Sequence, residues 1–174
     1  MFSGNIYLMG FMGAGKSTVG KALAERLGRA YVDVDEVFAD RHGGVTTGRY
    51  IETHGMDAFR VEERETLAGI ARDVHDAVVA TGGGVPTYPG NLEIMKASGA
   101  TVHVKVPLEV IAARMTPGEL ARRPVWTRLS PDRLHDLYDS RLVFYDAADI
   151  IVSGDTAVSA VVDEIIGNLK SEMV

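Results

Sequence analysis

The stretch Gly10-Phe-Met-Gly-Ala-Gly-Lys-Ser-Thr18 holds three glycines, followed at once by a lysine and two hydroxyl residues. It comes after the apolar run 5–9 and before a segment with the apolar spacing of a helix. The pattern Gly-x-x-x-x-Gly-Lys-Ser between a strand and a helix indicates a phosphate-binding loop. The backbone N–H groups of such a loop point at phosphate oxygens, and the positive end of the helix dipole adds to the attraction.

The loop 10–18 therefore predicts a nucleotide site. Lys16 is expected to reach the β and γ phosphates, and the Ser17 hydroxyl is expected to ligate Mg²⁺. The alternative is a glycine-rich turn that only caps a helix, which the unbroken order of strand, loop, lysine, hydroxyl and helix disfavours. The residues predicted to contact the phosphates are Gly13, Ala14, Gly15, Lys16, Ser17 and Thr18.

Composition limits the class of protein. The chain has 174 residues, 46% of them hydrophobic, so we expect one domain over 1–174 with a packed core. A net charge of −6 argues against a dominant nucleic-acid surface, and the absence of cysteine excludes disulfides and thiolate chemistry. No basic signal segment and no apolar run of roughly 20 residues is present, so we expect a cytoplasmic protein without a membrane partner.

Short apolar runs alternate with helical patterns along the chain. Nearly continuous apolar strands separated by helices predict an α/β fold with a parallel sheet and helices on both faces. The predicted strands are 5–9, 30–34, 77–81, 101–106 and 150–152. The predicted helices are 17–27, 36–41, 48–53, 56–72, 90–97, 108–113, 131–145 and 156–169.

Two aspartates follow the second predicted strand. Asp33 and Asp35 lie at the edge where ligands bind in open parallel sheets, and their side chains share a face if the strand continues through Asp35. One carboxylate could then hold the hydration shell of Mg²⁺ while the other accepts a proton from an attacking hydroxyl. Asp35 is equally plausible as a helix N-cap, so both interpretations stay open.

Three glycines, Gly82, Gly83 and Gly84, directly follow the third predicted strand. They would let a ligand approach the backbone closely, or they could form only a flexible turn. Phosphate-loop proteins often carry a metal-binding aspartate at this position, a role that here would pass to Asp33.

Six arginines lie between positions 114 and 141, and the segment 115–133 between two helical patterns is predicted to be a long mobile loop. Over a nucleotide site such a loop acts as a lid that excludes water and delivers an arginine to the transferring phosphoryl group. Trp126 in this segment is either a hydrophobic latch or an exposed ring.

Taken in order, the blocks GFMGAGKST, DVD, AFRVEE, TGGG, ARRP and SRLVFYDAAD resemble shikimate kinase along almost the whole chain. The resemblance implies a P-loop NTPase-type three-layer sandwich with a five-stranded parallel sheet, a substrate-binding region at about 35–64 and a mobile lid at about 114–130. It also implies a monomer that transfers the γ-phosphoryl of ATP, with Mg²⁺, to the 3-hydroxyl of shikimate.

The resemblance also assigns roles to residues. Asp33 supports the metal through water, Asp35 contacts the shikimate hydroxyls and is the general base, and Arg60 and Arg141 grip the substrate carboxylate. Gly83, flanked by Gly82 and Gly84, offers a backbone contact. Two arginines in the lid region complete the set: Arg123 reaches the transferring phosphate and Arg114 packs against adenine. The implied catalytic residues are Asp35, Lys16 and Arg123.

The chain departs from the family pattern at two places. Val125 and Trp126 follow the lid Arg-Pro where leucines are usual, and the loop 153–155 has an aspartate where some relatives have an arginine near the adenine. Two other functions remain as alternatives: a related kinase that acts on another polyol acid, and a nucleotide-dependent switch. The second is disfavoured because the chain has no Asn-Lys-x-Asp motif for reading guanine.

Overall fold

The computed structural model describes residues 2–121 and 124–171. Its sheet has five parallel strands in the order β2-β3-β1-β4-β5. The predicted parallel sheet is confirmed, and its strands begin and end close to the predicted positions. They are β1 (Asn5–Met9), β2 (Tyr31–Asp33), β3 (Val78–Ala80), β4 (Gly99–Lys105) and β5 (Ile150–Ser153).

Helices connect the strands and cover the sheet. The helices of the described chain are α1 (Lys16–Leu27), α2 (Val34–Arg41), α3 (Thr47–His54), α4 (Met56–Asp73), α5 (Asn91–Ser98), α6 (Leu108–Arg114), α7 (Pro117–Ala121), α8 (Pro124–Arg128), α9 (Pro131–Tyr145) and α10 (Val158–Ser171). A short 3-10 helix spans Val85–Thr87. Within these described residues, none of the helices has the length and apolar character needed to cross a membrane.

Side chains of the central strand β1 show that both faces of the sheet are covered. Successive side chains of a strand point to opposite faces. Leu8 packs under Gly20 of α1, where a Cβ would lie 3.2 Å from its side chain. Tyr7 points the other way, and its hydroxyl lies 2.7 Å from the hydroxyl of Ser98 in α5. All five residues of β1 are buried, as expected for a strand covered on both sides.

The carboxyl ends of β1, β2 and β3 form the functional edge of the sheet. Because the strands are parallel, the loop after β1, the aspartates after β2 and the glycines after β3 all emerge at this edge. Strand β1 lies in the middle, with the connection to β2 leaving on one side and β4 lying on the other. Such a reversal of strand order opens a crevice in which ligands bind.

Strand β2 ends earlier than predicted. The strand prediction ran to residue 34, but Val34 already begins α2. The side chain of Asp33 caps that helix, accepting a hydrogen bond from the backbone N–H of Asp35 at 3.0 Å. The idea that both aspartates leave one face of a continuing strand is therefore wrong, and the N-cap is Asp33 and not Asp35.

The sequence predicted one long loop over 115–133, and this prediction is wrong. The segment contains the short helices α7 and α8, each of which begins at a proline, Pro117 and Pro124. Proline suits the first position of a helix because its φ is preset and its missing N–H needs no partner there. Each helix is too short to show a hydrophobic period in the sequence, and neither helix was therefore predicted.

Asn5 should contribute to stability through buried hydrogen bonds at the start of β1. Its amide donates to the Val74 carbonyl at 2.8 Å and accepts from the Ala77 N–H at 3.0 Å. Asn5→Ala would leave both backbone groups without their partner, at about 1–3 kcal/mol each. We expect the free energy of unfolding, measured by urea denaturation, to fall by about 2–4 kcal/mol.

The matched control is Asn168→Ala on the exposed face of α10, where the amide donates to the Glu164 carbonyl of its own helix. That variant should stay within about 0.5 kcal/mol of the parent protein. Equal losses in the two variants would contradict the role given to Asn5.

Candidate active site

The loop between β1 and α1 adopts the backbone that its glycines allow. Gly15 caps α1 with φ 87° and ψ 15°, a left-handed conformation that glycine reaches without strain. The Lys16 ammonium donates to the carbonyls of Gly10 and Phe11 at 2.8 and 2.9 Å. The lysine is almost fully buried, and these two hydrogen bonds hold its charge against the loop. The charge lies next to the first turn of α1, where the helix dipole also attracts anions.

A cleft of about 250 Å³ opens above this loop. Its walls come from the loop and first turn of α1, the carboxyl ends of β2 and β3, and the end of α6. The sequence-predicted residues that line it are Gly13, Gly15, Lys16, Ser17, Thr18, Asp33, Asp35, Gly82, Gly83 and Arg114. Ala14, also predicted, is buried behind the loop.

Asp33 is held by hydrogen bonds to both carboxylate oxygens. Oδ1 accepts from the Asp35 backbone and Oδ2 from the Tyr31 hydroxyl at 3.1 Å. Burial raises the pKa of Tyr31 to about 12, an effect partly opposed by its hydrogen bond with Ser17, so the phenol keeps its proton at neutral pH. The carboxylate therefore has a defined orientation, and it lines the same cleft as Ser17 at the start of α1.

Asp35, in the first turn of α2, faces the glycine run after β3. A Cβ on Gly82 would lie 3.5 Å from its carboxylate. The residue is open to solvent through the cleft, but surrounding protein atoms partly desolvate the carboxylate. This desolvation, together with the like charge of Asp33, raises its pKa, while Lys16 and Arg60 act in the opposite direction. A raised pKa makes Asp35 a better proton acceptor than an ordinary aspartate.

Arg60 lies on α4 beside the same run of glycines. Its guanidinium occupies the space that a Cβ on Gly84 would need. It forms an ion pair with Glu63, one turn later, whose side chain is only 3% exposed. Burial raises the pKa of Glu63, and the charge of Arg60 opposes that rise.

No role was predicted for Glu63 from the sequence. A Cβ on Gly82 would lie 3.4 Å from the Glu63 carboxylate, so Glu63 reaches the glycine run and fixes one edge of the Arg60 guanidinium. The available signal was the spacing of three residues from Arg60, which places the two side chains on one face of α4. The buried position of Glu63 on that face could have been inferred from the apolar neighbours Phe59 and Leu67.

Arg141, on α9, also lies beside the glycine run. A Cβ on Gly83 would lie 3.5 Å from its Nη1. This nitrogen is buried and has no hydrogen-bond partner among residues 2–121 and 124–171. The guanidinium carbon lies 5.6 Å from the centre of the Phe11 ring, a cation–π contact. A buried guanidinium donor without a partner is costly unless an anion binds there.

Arg114 joins the end of α6 to the loop 153–155. Its guanidinium donates to the Gly154 carbonyl at 3.0 Å and to the Asp155 carboxylate at 2.5 Å. The aspartate that departs from the family pattern is therefore the partner of Arg114. The predicted contact of Arg114 with adenine remains a prediction.

The lid prediction is only partly accessible to the structure, because Arg123 lies outside the described residues. Trp126 of α8 is half-buried, and its ring meets Phe11 edge-on with 6.2 Å between centroids. Of the two interpretations of Trp126, the hydrophobic latch fits this contact and the exposed ring does not.

The site as a whole has two halves. The phosphate loop and the carboxylates of Asp33 and Asp35 form one half, in which oxygen and ammonium groups suit a nucleotide phosphate and a divalent cation. The second half consists of Arg60, Arg141 and the bare glycine backbone, which suit a small carboxylic acid with hydroxyl groups. The described residues contain no cluster of three or more histidine, aspartate or glutamate side chains that could hold a metal by themselves.

Comparison with known proteins agrees with this chemistry. The family model described as shikimate kinase matches residues 12–170. The shikimate kinase of Parabacteroides distasonis is 38% identical over 151 residues, which cover 83% of this chain and 84% of that protein.

Two solved structures extend the likeness to the fold. The shikimate kinase of Aquifex aeolicus superposes with a TM-score of 0.85 at 35% identity, covering 98% of both chains. The shikimate kinase of Acinetobacter baumannii, solved in complex with shikimate, has a TM-score of 0.87 at 30% identity and covers 98% of this chain and 95% of that one. With a family model that matches nearly its whole length, and with relatives of this identity and coverage, the chain belongs to the shikimate kinase family.

Proposed function

We propose that the chain transfers the γ-phosphoryl group of ATP to the 3-hydroxyl of shikimate, giving shikimate 3-phosphate and ADP in the biosynthesis of aromatic compounds. The observation that carries the substrate assignment is the buried, unpartnered Nη1 of Arg141 beside Gly83. It lies beside the glycine run that Arg60 also contacts, and next to a phosphate-binding loop. A related enzyme solved with shikimate has the same fold over nearly its whole length.

The two arginines act as the carboxylate clamp. A guanidinium presents several N–H donors in a planar fork, and a carboxylate can accept two of them in parallel. Glu63 occupies one edge of the Arg60 guanidinium, which orients the remaining donors. Arg141 brings a second positive charge whose Nη1 is unpaired within the described chain. The clamp thereby fixes one end of the acceptor and directs its hydroxyls towards Asp35.

Asp35 is the general base in this proposal. As the 3-hydroxyl oxygen bonds to the γ-phosphorus, its proton passes to the Asp35 carboxylate, and the bond from the γ-phosphorus to the bridging oxygen of ADP breaks. The contact of Asp35 with the glycine run puts the base on the wall where the acceptor binds. Its raised pKa brings its proton affinity closer to the working pH, which general-base catalysis requires.

The other half of the site holds the nucleotide. Backbone N–H groups of residues 13–18 bind the phosphates, and Lys16 supplies positive charge to the β and γ groups. Ser17 and, through water, Asp33 would hold Mg²⁺, because hydroxyl and carboxylate oxygens are the ligands that this hard cation prefers. When bound, Mg²⁺ neutralises phosphate charge.

The lid and the state of the protein in solution complete the proposal. Arg123 is proposed to reach the transferring phosphate and Arg114 to pack against adenine, with the segment 114–130 closing over the nucleotide. The family resemblance supports a monomeric, cytoplasmic enzyme that needs no nucleic-acid or membrane partner. Sedimentation equilibrium tests the monomer directly.

A coupled assay of ADP release tests the reaction. The protein is supplied with ATP and Mg²⁺, and with shikimate, quinate, gluconate or no acceptor. Release that depends on shikimate supports the proposal. Release with quinate or gluconate alone would keep the phosphate site and replace the substrate, and release without any acceptor would indicate a nucleotide hydrolase.

Asp35→Asn should retain ATP binding and lose transfer. The substitution keeps the shape of the side chain but removes the proton acceptor, so we expect kcat to fall by about 10²–10⁴-fold, the usual contribution of a general base. ATP affinity, measured by calorimetry, should change less than about threefold. The control is Asp40→Asn, on the exposed side of the same helix α2; transfer at a similar rate in both variants would refute the assignment of the base.

The pH dependence follows from the raised pKa of Asp35. Its active form is the carboxylate, so activity is present above the raised pKa and is lost as the pH falls through it. We expect the acid limb of kcat/KM for shikimate to lie above the ordinary aspartate value of about 3.9. Circular dichroism at each pH confirms that the fold is retained, and a level profile down to that ordinary value would contradict the proposal.

Arg141→Gln should weaken the acceptor selectively. The change removes the charged fork at similar length, and a charge-assisted hydrogen bond contributes roughly 1.5–3 kcal/mol, so KM for shikimate should rise about 10- to 100-fold. KM for ATP should change less than about threefold. Arg133→Gln, an exposed arginine on the same helix, should change neither, and a loss of ATP affinity alone in Arg141→Gln would show that the clamp is wrongly placed.

A further inference from the structure

Tyr145, the last residue of α9, makes a hydrogen bond that the reaction described so far does not use. Its side chain is fully buried. Its hydroxyl donates to the backbone carbonyl of Gly83 at 2.5 Å. Burial raises the pKa of Tyr145 to about 12, although Arg141 acts in the opposite direction, so the hydroxyl remains a donor at neutral pH.

The Tyr145 ring is itself held in place. It packs against the ring of His103, with 5.3 Å between centroids. His103 is buried on β4, and its Nδ1 lies 2.9 Å from the carboxylate of Asp146. Asp146 also accepts two hydrogen bonds from Lys105. The end of α9 is thus tied to β4, and the phenol has little freedom to move away from Gly83.

The carbonyl of Gly83 belongs to the same peptide plane as the N–H of Gly84. In a trans peptide these two groups point in opposite directions, so a bond that fixes the carbonyl also fixes the direction of the N–H. Neither the Gly83 nor the Gly84 N–H has a hydrogen-bond partner within the described parts of the chain. Gly83 lines the cleft and Gly84 is buried, so Tyr145 fixes the backbone where the glycine run meets the cleft.

Arg141 lies on the same face of α9, one turn before Tyr145. Side chains four residues apart on a helix are neighbours, and both of these reach Gly83: the Tyr145 hydroxyl bonds its carbonyl, and a Cβ on Gly83 would lie 3.5 Å from Arg141 Nη1. One helix thus sets the position of a guanidinium and of a backbone segment at once.

We propose that Tyr145 is a positioning residue for the acceptor substrate, because its hydroxyl holds the Gly83–Gly84 peptide at a fixed place and angle relative to Arg141. The proposal rests on the acceptor site described under the proposed function. Three consecutive glycines have the greatest backbone freedom of any sequence, and ordering them at the moment of binding would cost affinity. The carbonyls of Gly82 and Gly84 accept hydrogen bonds from the Val85 and Thr87 N–H groups at 3.1 Å, and the hydrogen bond from Tyr145 fixes the peptide between them before the acceptor arrives.

The test is Tyr145→Phe, which keeps the ring against His103 and removes only the hydroxyl. We expect KM for shikimate to rise about 3- to 10-fold, the effect of one neutral hydrogen bond, while KM for ATP stays within about twofold. Exchange of the Val85 and Thr87 amide hydrogens, which are bonded to the Gly82 and Gly84 carbonyls, should become faster, because the peptide between these two carbonyls loses its tether.

The matched control is Tyr138→Phe on the same helix. The Tyr138 hydroxyl also donates to a backbone carbonyl, that of Val106, at 2.9 Å, but it does not touch the glycine run. This variant should leave KM for shikimate and exchange of the Val85 and Thr87 amides unchanged. An unchanged KM for shikimate in Tyr145→Phe overturns the proposal, and so does an equal rise in both variants, which would mean a general loosening of α9.

The Arg141→Gln variant distinguishes a failure of the role given to Tyr145 from a failure of the acceptor site on which that role rests. If Arg141→Gln raises KM for shikimate and Tyr145→Phe does not, the acceptor site stands and only the role of Tyr145 fails. If neither variant raises it, the acceptor site is wrongly placed and the role of Tyr145 fails with it. A rise in KM for shikimate in Arg141→Gln and Tyr145→Phe, but not in Tyr138→Phe, supports both.

Discussion

The close approach of charged side chains to a run of glycines is the constraint on which the arrangement of Asp35, Arg60 and Arg141 depends. At Gly84 the Arg60 guanidinium occupies the space of a Cβ, and at Gly82 two carboxylates lie at van der Waals distance from that position. A single methyl group at Gly84 would displace the arginine and with it the ion pair to Glu63. Charged side chains from α2, α4 and α9 therefore lie directly against the backbone of the three glycines.

The positive and negative charges around the three glycines and the phosphate loop are equal in number. Lys16, Arg60 and Arg141 bring three positive charges, and Asp33, Asp35 and Glu63 bring three negative ones. In a partly desolvated cleft a surplus of either sign would be costly, and the mixture lets each group carry a different task. Asp35 shows this balance at a single carboxylate. Desolvation and the charge of Asp33 raise its pKa, and the charges of Lys16 and Arg60 lower it.

Much of the fold and site could be predicted from the sequence because the signals are local. The phosphate loop combines a fixed spacing with a strand and a helix, and the run Gly82 to Gly84 needs no tertiary information to be noticed. Glu63 and Tyr145 were missed because their roles depend on burial and on contacts between elements far apart in the chain. The predicted end of β2 was wrong for a similar reason, since the hydrogen bond by which Asp33 caps α2 decides where the strand ends. The helices α7 and α8 are each five residues long, shorter than any hydrophobic period that a sequence pattern can display.

Trp126 is the one tryptophan of the chain, and it lies on α8 beside the loop between β1 and α1. Its ring contacts Phe11, which is also the residue beneath the Arg141 guanidinium. A single aromatic side chain, Phe11, thus contacts both Trp126 of α8 and the Arg141 guanidinium of α9. The tryptophan emission of the chain comes from this junction, so it is an optical probe of the contact between α8, the phosphate loop and α9.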